Sequence, residues 1–246
     1  KQIGKVDANL GFTGLYMTTE AKRREENNEY SYQNDQGKSL NTMWGLVCEG
    51  YFQNEEEIKN SPKQTFGDCK PGDLKYKDVN NDGVIDSKDQ IELGKYTAPF
   101  YYGINLTLKW KQFTLFAAGT GSMGAKFFRS NDWRYNQQKY TSVVRGRWTE
   151  ATAETATYPR LTAKDNNNSF RNSTYWLSSA DRFDLSKVQL TYDMPNEWFE
   201  NKVVKGMSVY FLGESLLTIS KHRKYFETSY GSPSCRFYNL GVKMNF

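Results

Sequence analysis

Tyr102-Gly103-Ile104-Asn105-Leu106-Thr107-Leu108-Lys109-Trp110 is the stretch that decides the fold. Every second residue is apolar, and those between are polar or glycine. That period of two belongs to a strand with different media on its two faces. Trp110-Lys111-Gln112 reads as a tight turn into a second strand, Phe113 to about Gly121, so the pair is a hairpin. The same alternation returns at the C-terminus, where Tyr238, Leu240, Val242, Met244 and Phe246 are spaced by Asn239, Gly241, Lys243 and Asn245. It returns again at Val188, Leu190 and Tyr192 within Phe183–Tyr192, and less cleanly over Met207–Leu216. Val6–Tyr16 and Leu40–Phe52 are weaker candidates. The expectation is an all-β chain of about seven antiparallel strands of roughly ten residues, the length a tilted membrane-spanning strand requires.

Composition agrees with two media. Lys and Arg number 33 against 28 Asp and Glu, a net charge of +5. Mean hydropathy is −0.79. No apolar run approaches the roughly 20 residues of a spanning helix. Aromatics nevertheless reach 15%, too many for a disordered chain. The one cationic cluster, Lys22-Arg23-Arg24, runs into Glu25-Glu26, so no basic face for nucleic acid is expected. His222 is the single histidine; flanked by Lys221, Arg223 and Lys224, it reads as a surface residue rather than a metal or acid–base group. No G-x-S-x-G, Walker A or Rossmann pattern is present, and no enzyme activity is expected. The chain opens on Lys1 with no signal peptide before it, which reads as a processed or partial sequence.

The connections are very unequal. The turn at Lys111 and the stretch opened by Met194-Pro195 are short, whereas 53–99 and 125–181 are long and polar. Loops of that length are uncommon in compact domains. They match barrels with short periplasmic turns and long extracellular loops, and strand parity puts both long loops on the extracellular side. Parity also sends the segment near 20–39 to the periplasmic side, which suits that scheme less well. A soluble β-sandwich is the competing reading. It explains the alternation but not the long loops.

Asp78-Val79-Asn80-Asn81-Asp82-Gly83-Val84-Ile85-Asp86-Ser87-Lys88-Asp89 carries the sharpest local chemistry. Oxygen side chains stand at positions 1, 3, 5, 9 and 12 and glycine at 6, as in an EF-hand-type calcium loop with Asp89 replacing the usual Glu. A hard cation takes six to eight oxygens. Asp78, Asn80, Asp82 and Asp89 would offer side chains, Val84 its carbonyl, and Asp86 a contact through water. Ile85 would anchor the loop to a neighbouring strand. The expected role of calcium is structural; the plain alternative is an Asx-rich turn without metal.

Three cysteines leave one odd: a Cys48–Cys69 bridge with Cys235 free is one option, three free thiols the other. The 125–181 loop holds Trp133, Tyr135, Tyr140, Trp148, Tyr158, Tyr175 and Trp176 among Arg129, Arg134, Arg145 and Arg147. Such residues suit either sugar or peptide binding, or girdle and loop packing.

The terminal pattern Asn239-x-Gly241-x-x-Met244-x-Phe246 resembles the β-signal by which outer-membrane barrels are recognised by the bacterial assembly machinery. An ordered series of motifs resembles the C-terminal part of SusC/RagA-type TonB-linked outer-membrane proteins. It runs through Gly45-Leu-Val-Cys-Glu-Gly50, Pro71-Gly-Asp-Leu-Lys75-Tyr-Lys-Asp78, Pro99-Phe-Tyr-Tyr-Gly103, Arg147-Trp148, Tyr158-Pro159-Arg160, Tyr175-Trp176-Leu177, Leu185-Ser-Lys187-Val-Gln-Leu190 and Gly213-Glu-Ser-Leu216, ending at Phe246. Ser178 to Asp184 departs from the family's usual run. The resemblance implies part of an about 22-stranded barrel, with the N-terminal plug domain absent from this chain. It also implies TonB-driven import of oligosaccharides or peptides, a SusD-like surface lipoprotein as partner, and the TonB complex acting through the missing part. Other outer-membrane barrels (an adhesin or autotransporter translocator) and a secreted calcium-binding β-sandwich stand as alternatives.

Overall fold

The computed structural model describes residues 2–129, 142–162, 168–200, 203–223 and 235–246. One antiparallel sheet holds β1 (Gln2–Ile3), β2 (Val6–Tyr16), β3 (Phe100–Trp110), β4 (Phe113–Met123), β5 (Arg182–Asp193), β6 (Gly206–Ser220) and β7 (Phe237–Asn245), paired in that order. β2 to β7 are nine to fifteen residues long. Lys111, at φ 50°, takes the left-handed conformation that reverses the chain between β3 and β4.

Register confirms the alternation. Leu10 on β2 faces Leu106, which faces Ala117 on β4; Leu190 on β5 faces Leu115 on one side and Phe211 on the other, and Phe211 faces Leu240 on β7. These residues form one apolar face across the sheet, and it is exposed: Leu10 is 71% and Leu240 76% accessible. A sandwich would have packed a second sheet there, so the soluble β-sandwich reading fails. Aromatic rings bound the apolar face at each end. Trp110, Phe113 and Tyr192 neighbour one another beside the tight turn, and Phe100, Tyr102 and Phe183 stack at the far strand ends. Tyr102 and Trp110 are about 26 Å apart along the strand, matching the apolar band and aromatic girdles of a membrane barrel. None of the described helices is long and apolar enough to cross a membrane.

A bulge keeps the faces in phase. Leu185 pairs with Gly119 but Lys187 with Ala118, so Ser186 is an extra residue in β5. Opposite it, Leu185 pairs with Leu217 and Lys187 with Glu214, and Ser215 there has φ 55°. Without the bulge, Arg182 and Asp184 would turn to the apolar face and Phe183 and Leu185 to the polar one.

Two expectations are corrected. Leu40–Phe52 is not a strand of this sheet, because β2 pairs directly with β3. Its strands Thr42–Gly45 and Cys48–Tyr51 pair instead with Ile91–Lys95 and Leu74–Tyr76. The first long segment therefore spans 18–97 rather than 53–99, and it absorbs residues 20–39, removing the parity difficulty. With 126–178 it forms a second compact unit, distinct from the sheet.

That second unit has a conventional core. Leu46, Leu74, Tyr76, Ile85, Tyr158 and Trp176 are all but inaccessible. Trp176 is stacked by Phe170 and met edge-on by Tyr158 and Tyr175. An α-helix, α1 (Glu55–Asn60), starts at Asn54, whose side chain accepts from Glu57 N–H, and three glutamates occupy the first turn, where the helix dipole favours them.

Candidate functional site

Functional chemistry is divided among the polar face of the sheet, the 78–89 loop, and the buried polar seam of the second unit.

On the polar face, Arg182 Nε donates to Asp184 Oδ2 at 2.7 Å, and Thr218 Oγ1 donates to Asp184 Oδ1 at 2.6 Å. Lys187 stands opposite Glu214, and Ser208 donates to Asp193 at 2.6 Å. The bulge at Ser186 is what brings the Arg182–Asp184 pair into this row.

The 78–89 loop folds as a chain of side-chain caps. Asp78 accepts from the N–H groups of Asn81 and Gly83, Asn80 Oδ1 from Asp82 N–H, Asp82 from Val84 N–H, and Asp86 from Lys88 N–H. Asp89 is fully buried and accepts from Val79 and Asp86 N–H, tying the two ends of the loop together. Gly83 sits at φ +81°, a conformation that favours glycine at the sharp turn. Ile85 anchors the loop as expected: it is buried in the core and pairs with Gln64 in the short parallel strand pair Lys63–Gln64 with Val84–Ile85. The sequence reading missed a strap at Tyr30–Gln33. Tyr32 Oη donates to Lys88 O at 2.5 Å, Gln33 Nε2 to Ser87 O at 2.9 Å, and Asn80 Nδ2 to Tyr30 Oη at 3.2 Å. Burial first, then the nearby Asp89 carboxylate, push the Tyr32 hydroxyl up from its ordinary pKa. Among the described residues, no three His, Cys, Asp or Glu side chains are gathered around a common metal position. The oxygens are all hard donors of the kind calcium takes; most of them face backbone N–H groups, and Asp82 Oδ2 accepts from Asn80 Nδ2.

The buried seam was not foreseen. Asp73, fully inaccessible, forms an ion pair with Arg160: Nη2 donates to Oδ2 at 3.0 Å, and Nε lies 2.9 Å from Oδ1. It also accepts from Ser169 Oγ and Lys70 N–H. Gln64 donates to Leu74 O and Asn168 Oδ1 and accepts from Tyr76 N–H; Tyr76 Oη donates to Asn168 O at 2.7 Å. These bonds sew 64–76 to Arg160, Asn168 and Ser169, making one unit of two chain segments. Burial pushes the Tyr76 hydroxyl well above its ordinary pKa, so it is a donor throughout the physiological range. Pro71-Gly72-Asp73 and Tyr158-Pro159-Arg160 each stand out in the sequence, but nothing there pairs them.

Other expected residues fall as follows. Trp148, Tyr158 and Trp176 are buried, so they are packing residues and not an open ligand platform. Tyr175 is half-buried, its hydroxyl 2.7 Å from that of Tyr51. Trp133, Arg134, Tyr135 and Tyr140 lie outside the described residues. Cys48, Cys69 and Cys235 are free thiols, so the Cys48–Cys69 bridge is not formed. Burial pushes the Cys48 thiol up to about 11. His222 is half-buried just beyond β6, its N–H directed at Ser220 Oγ. Of the terminal pattern, Asn239, Gly241 and Met244 lie on β7 and Phe246 follows it. Gly241 leaves room for the Tyr210 ring on β6: a Cβ there would lie 2.3 Å from Tyr210 Cζ, so the ring would have to move.

No family model matches the chain. Among curated proteins it is similar to TonB-dependent receptor P26 of Formosa agariphila, 29% identical over 194 residues, covering 76% of this chain and 19% of that protein. TonB-dependent receptor P3 of the same organism is 20% identical over 234 residues, covering 86% and 22%. In three dimensions the whole chain superimposes on 28% of a chain in the structure of the RagAB peptide transporter, with a TM-score of 0.74 at 20% identity. The 'closed-closed' state of the RagAB peptide importer gives 0.71. In sequence and in fold, then, the chain is similar to a segment of SusC/RagA-like TonB-dependent receptors. It spans about a fifth of the length of the curated relatives it matches. The sheet is thus an arc of a large outer-membrane barrel wall, its apolar face toward lipid and its polar face toward the lumen.

Proposed function

We propose that this SusC/RagA-like segment belongs to a TonB-dependent outer-membrane transporter that imports oligosaccharides or peptides with a SusD-like surface lipoprotein. The observation that carries the reading is the two-faced wall. One face bears a girdled apolar band and the other a row of charged and hydroxyl side chains, which is how a barrel separates lipid from a wet lumen. The arc has open edges that lipid does not tolerate, so the working unit is the closed barrel. The similar proteins are receptors and transporters by name, in keeping with uptake rather than covalent chemistry. In this reading the 18–97 and 126–178 segments face the cell exterior, the terminal pattern at Asn239, Gly241, Met244 and Phe246 is read by the barrel assembly machinery, and the TonB complex acts through an N-terminal plug. Deleting the gene should abolish growth on the cognate oligosaccharide or peptide as sole source, and so should deleting TonB. Unchanged uptake of both nutrient classes in the two strains would overturn the proposal.

Calcium at 78–89 belongs to the same proposal, as a structural ion. The support is the donor set: side-chain oxygens of Asp78, Asn80, Asp82, Asp86 and Asp89 with the Val84 carbonyl. Carboxylate oxygens that accept one N–H keep further lone pairs for a cation. Calorimetric titration of the intact receptor should show calcium uptake that Asp78→Ala and Asp82→Ala remove; identical traces for parent and variants would refute it.

A further inference from the structure

The polar face carries a cleft of about 470 Å³ at the strand ends remote from the Lys111 turn. Its floor is Gly103, where the absence of a side chain leaves the backbone bare between Thr13 on β2 and Thr120 on β4. Tyr101, Ser122 and Arg182 stand side by side in one row, Ser122 in register with both. The electrostatics are one-sided. Asp184 is occupied by its own wall, one oxygen taken by Arg182 Nε and the other by Thr218 Oγ1. Asp184 therefore orients the guanidinium rather than offering itself to a ligand. Among the described residues Nε is the one side-chain nitrogen of Arg182 with a protein partner, and the side chain is 46% exposed. That leaves the Nη1 and Nη2 edge as free donors, beside hydroxyls that turn to suit. A planar, acceptor-only group matches that fork.

We propose that this cleft is a ligand subsite for a carboxylate, with Arg182 Nη1 and Nη2 as the binding donors and Asp184 as the positioning residue. It rests on the import reading above and narrows its substrate to ligands bearing an acid group, either a uronic acid unit of a glycan or a peptide carboxylate. Tyr101 and the bare Gly103 floor supply a flat apolar contact for the body of such a ligand. The Ser186 bulge is what makes the subsite available, since it holds Arg182 on the lumenal face.

The test uses the complete receptor with its lipoprotein, purified from outer membranes in detergent. Calorimetry compares tetragalacturonate with its methyl ester, and an acidic tetrapeptide with its fully amidated form. One acid should bind about tenfold more tightly than its neutral counterpart, and Arg182→Gln should bring the two to parity while the neutral form is unaffected. The pair that shows the preference identifies the source of the carboxylate. Ser122→Ala, which keeps the wall's charges, should reduce the preference less, and serves if Arg182→Gln does not reach the membrane. No preference in either pair, or one that survives Arg182→Gln, overturns the subsite, including the case in which the receptor's own chain fills the cleft. TonB-dependent growth measured in parallel keeps the two readings apart. Intact growth without acid preference removes the subsite alone, and lost transport by a properly inserted parent receptor removes the import reading.

Discussion

The sheet and the inserted unit reach order by opposite routes. In the sheet, large apolar side chains point outward and stay exposed, as Leu10 and Leu240 do, and neighbouring strands are held by continuous hydrogen-bond ladders. In the inserted unit, apolar residues turn inward around Trp176, regular strands are only two to five residues long, and buried side-chain bonds replace the ladder. One chain is thus written for two solvents. The sheet completes its burial in lipid and the inserted unit completes its own.

The sharpest way to break this contrast is at Asp73. Removing it by Asp73→Ala strands Arg160 in a nearly buried position, a change of about 3–5 kcal/mol for a broken buried pair. The expected outcome, read by hydrogen exchange on the intact receptor, is loss of protection across 42–95 and 146–178 with the β3–β4 hairpin unchanged. Uniform protection in both regions would show that the seam does not hold the unit. Next in size is Phe211→Arg, a cation placed on the lipid face, which should cost about 2–4 kcal/mol at mid-bilayer depth. It should lower the heat-modifiable folded fraction in outer membranes; an arginine tolerated there would contradict the assignment of faces. The smallest effects concern titration. With its thiol raised to about 11, Cys48 at pH 8 is almost wholly protonated, so alkylation should proceed more slowly than at exposed Cys235 and accelerate toward pH 11. Equal rates would mean that the unit opens freely. Glu57 is held below the usual carboxylate range, first by the Gln53 N–H and then by Lys75. Its contribution is full above the ordinary carboxylate pKa and fades as pH falls through the lowered value. Glu57→Gln should therefore flatten a shallow acid-side loss of protection in α1 and nothing else.

What was legible in the sequence followed from periodicity. β3 and β7 alternate strictly, so strand and outward face could be read, and the tight turn at Lys111 brought β4 with them. The calcium-type loop was legible as a spacing, and its Ile85 anchor followed from position. The Leu40–Phe52 region misled because short apolar runs such as Trp44 to Val47 serve a core strand as well as a wall strand, and pairing is not a local property. The loop aromatics misled for a related reason: Trp148 and Trp176 look like ligand residues until the fold buries them. The seam was illegible because Asp73 and Arg160 are 87 residues apart and neither has a neighbour that announces the other. The Ser186 bulge left a trace, two polar residues in succession at Ser186-Lys187, where the alternation slips by one.

The separation of Asp73 from Arg160 also sets an order of events. The β3–β4 hairpin lies between them in the chain, so at synthesis and export the first half of the inserted unit waits for the guanidinium that the second half brings to Asp73. Long-range closure of this kind is slow compared with hairpin formation. The wall's local pairings can therefore be in place before the inserted unit locks.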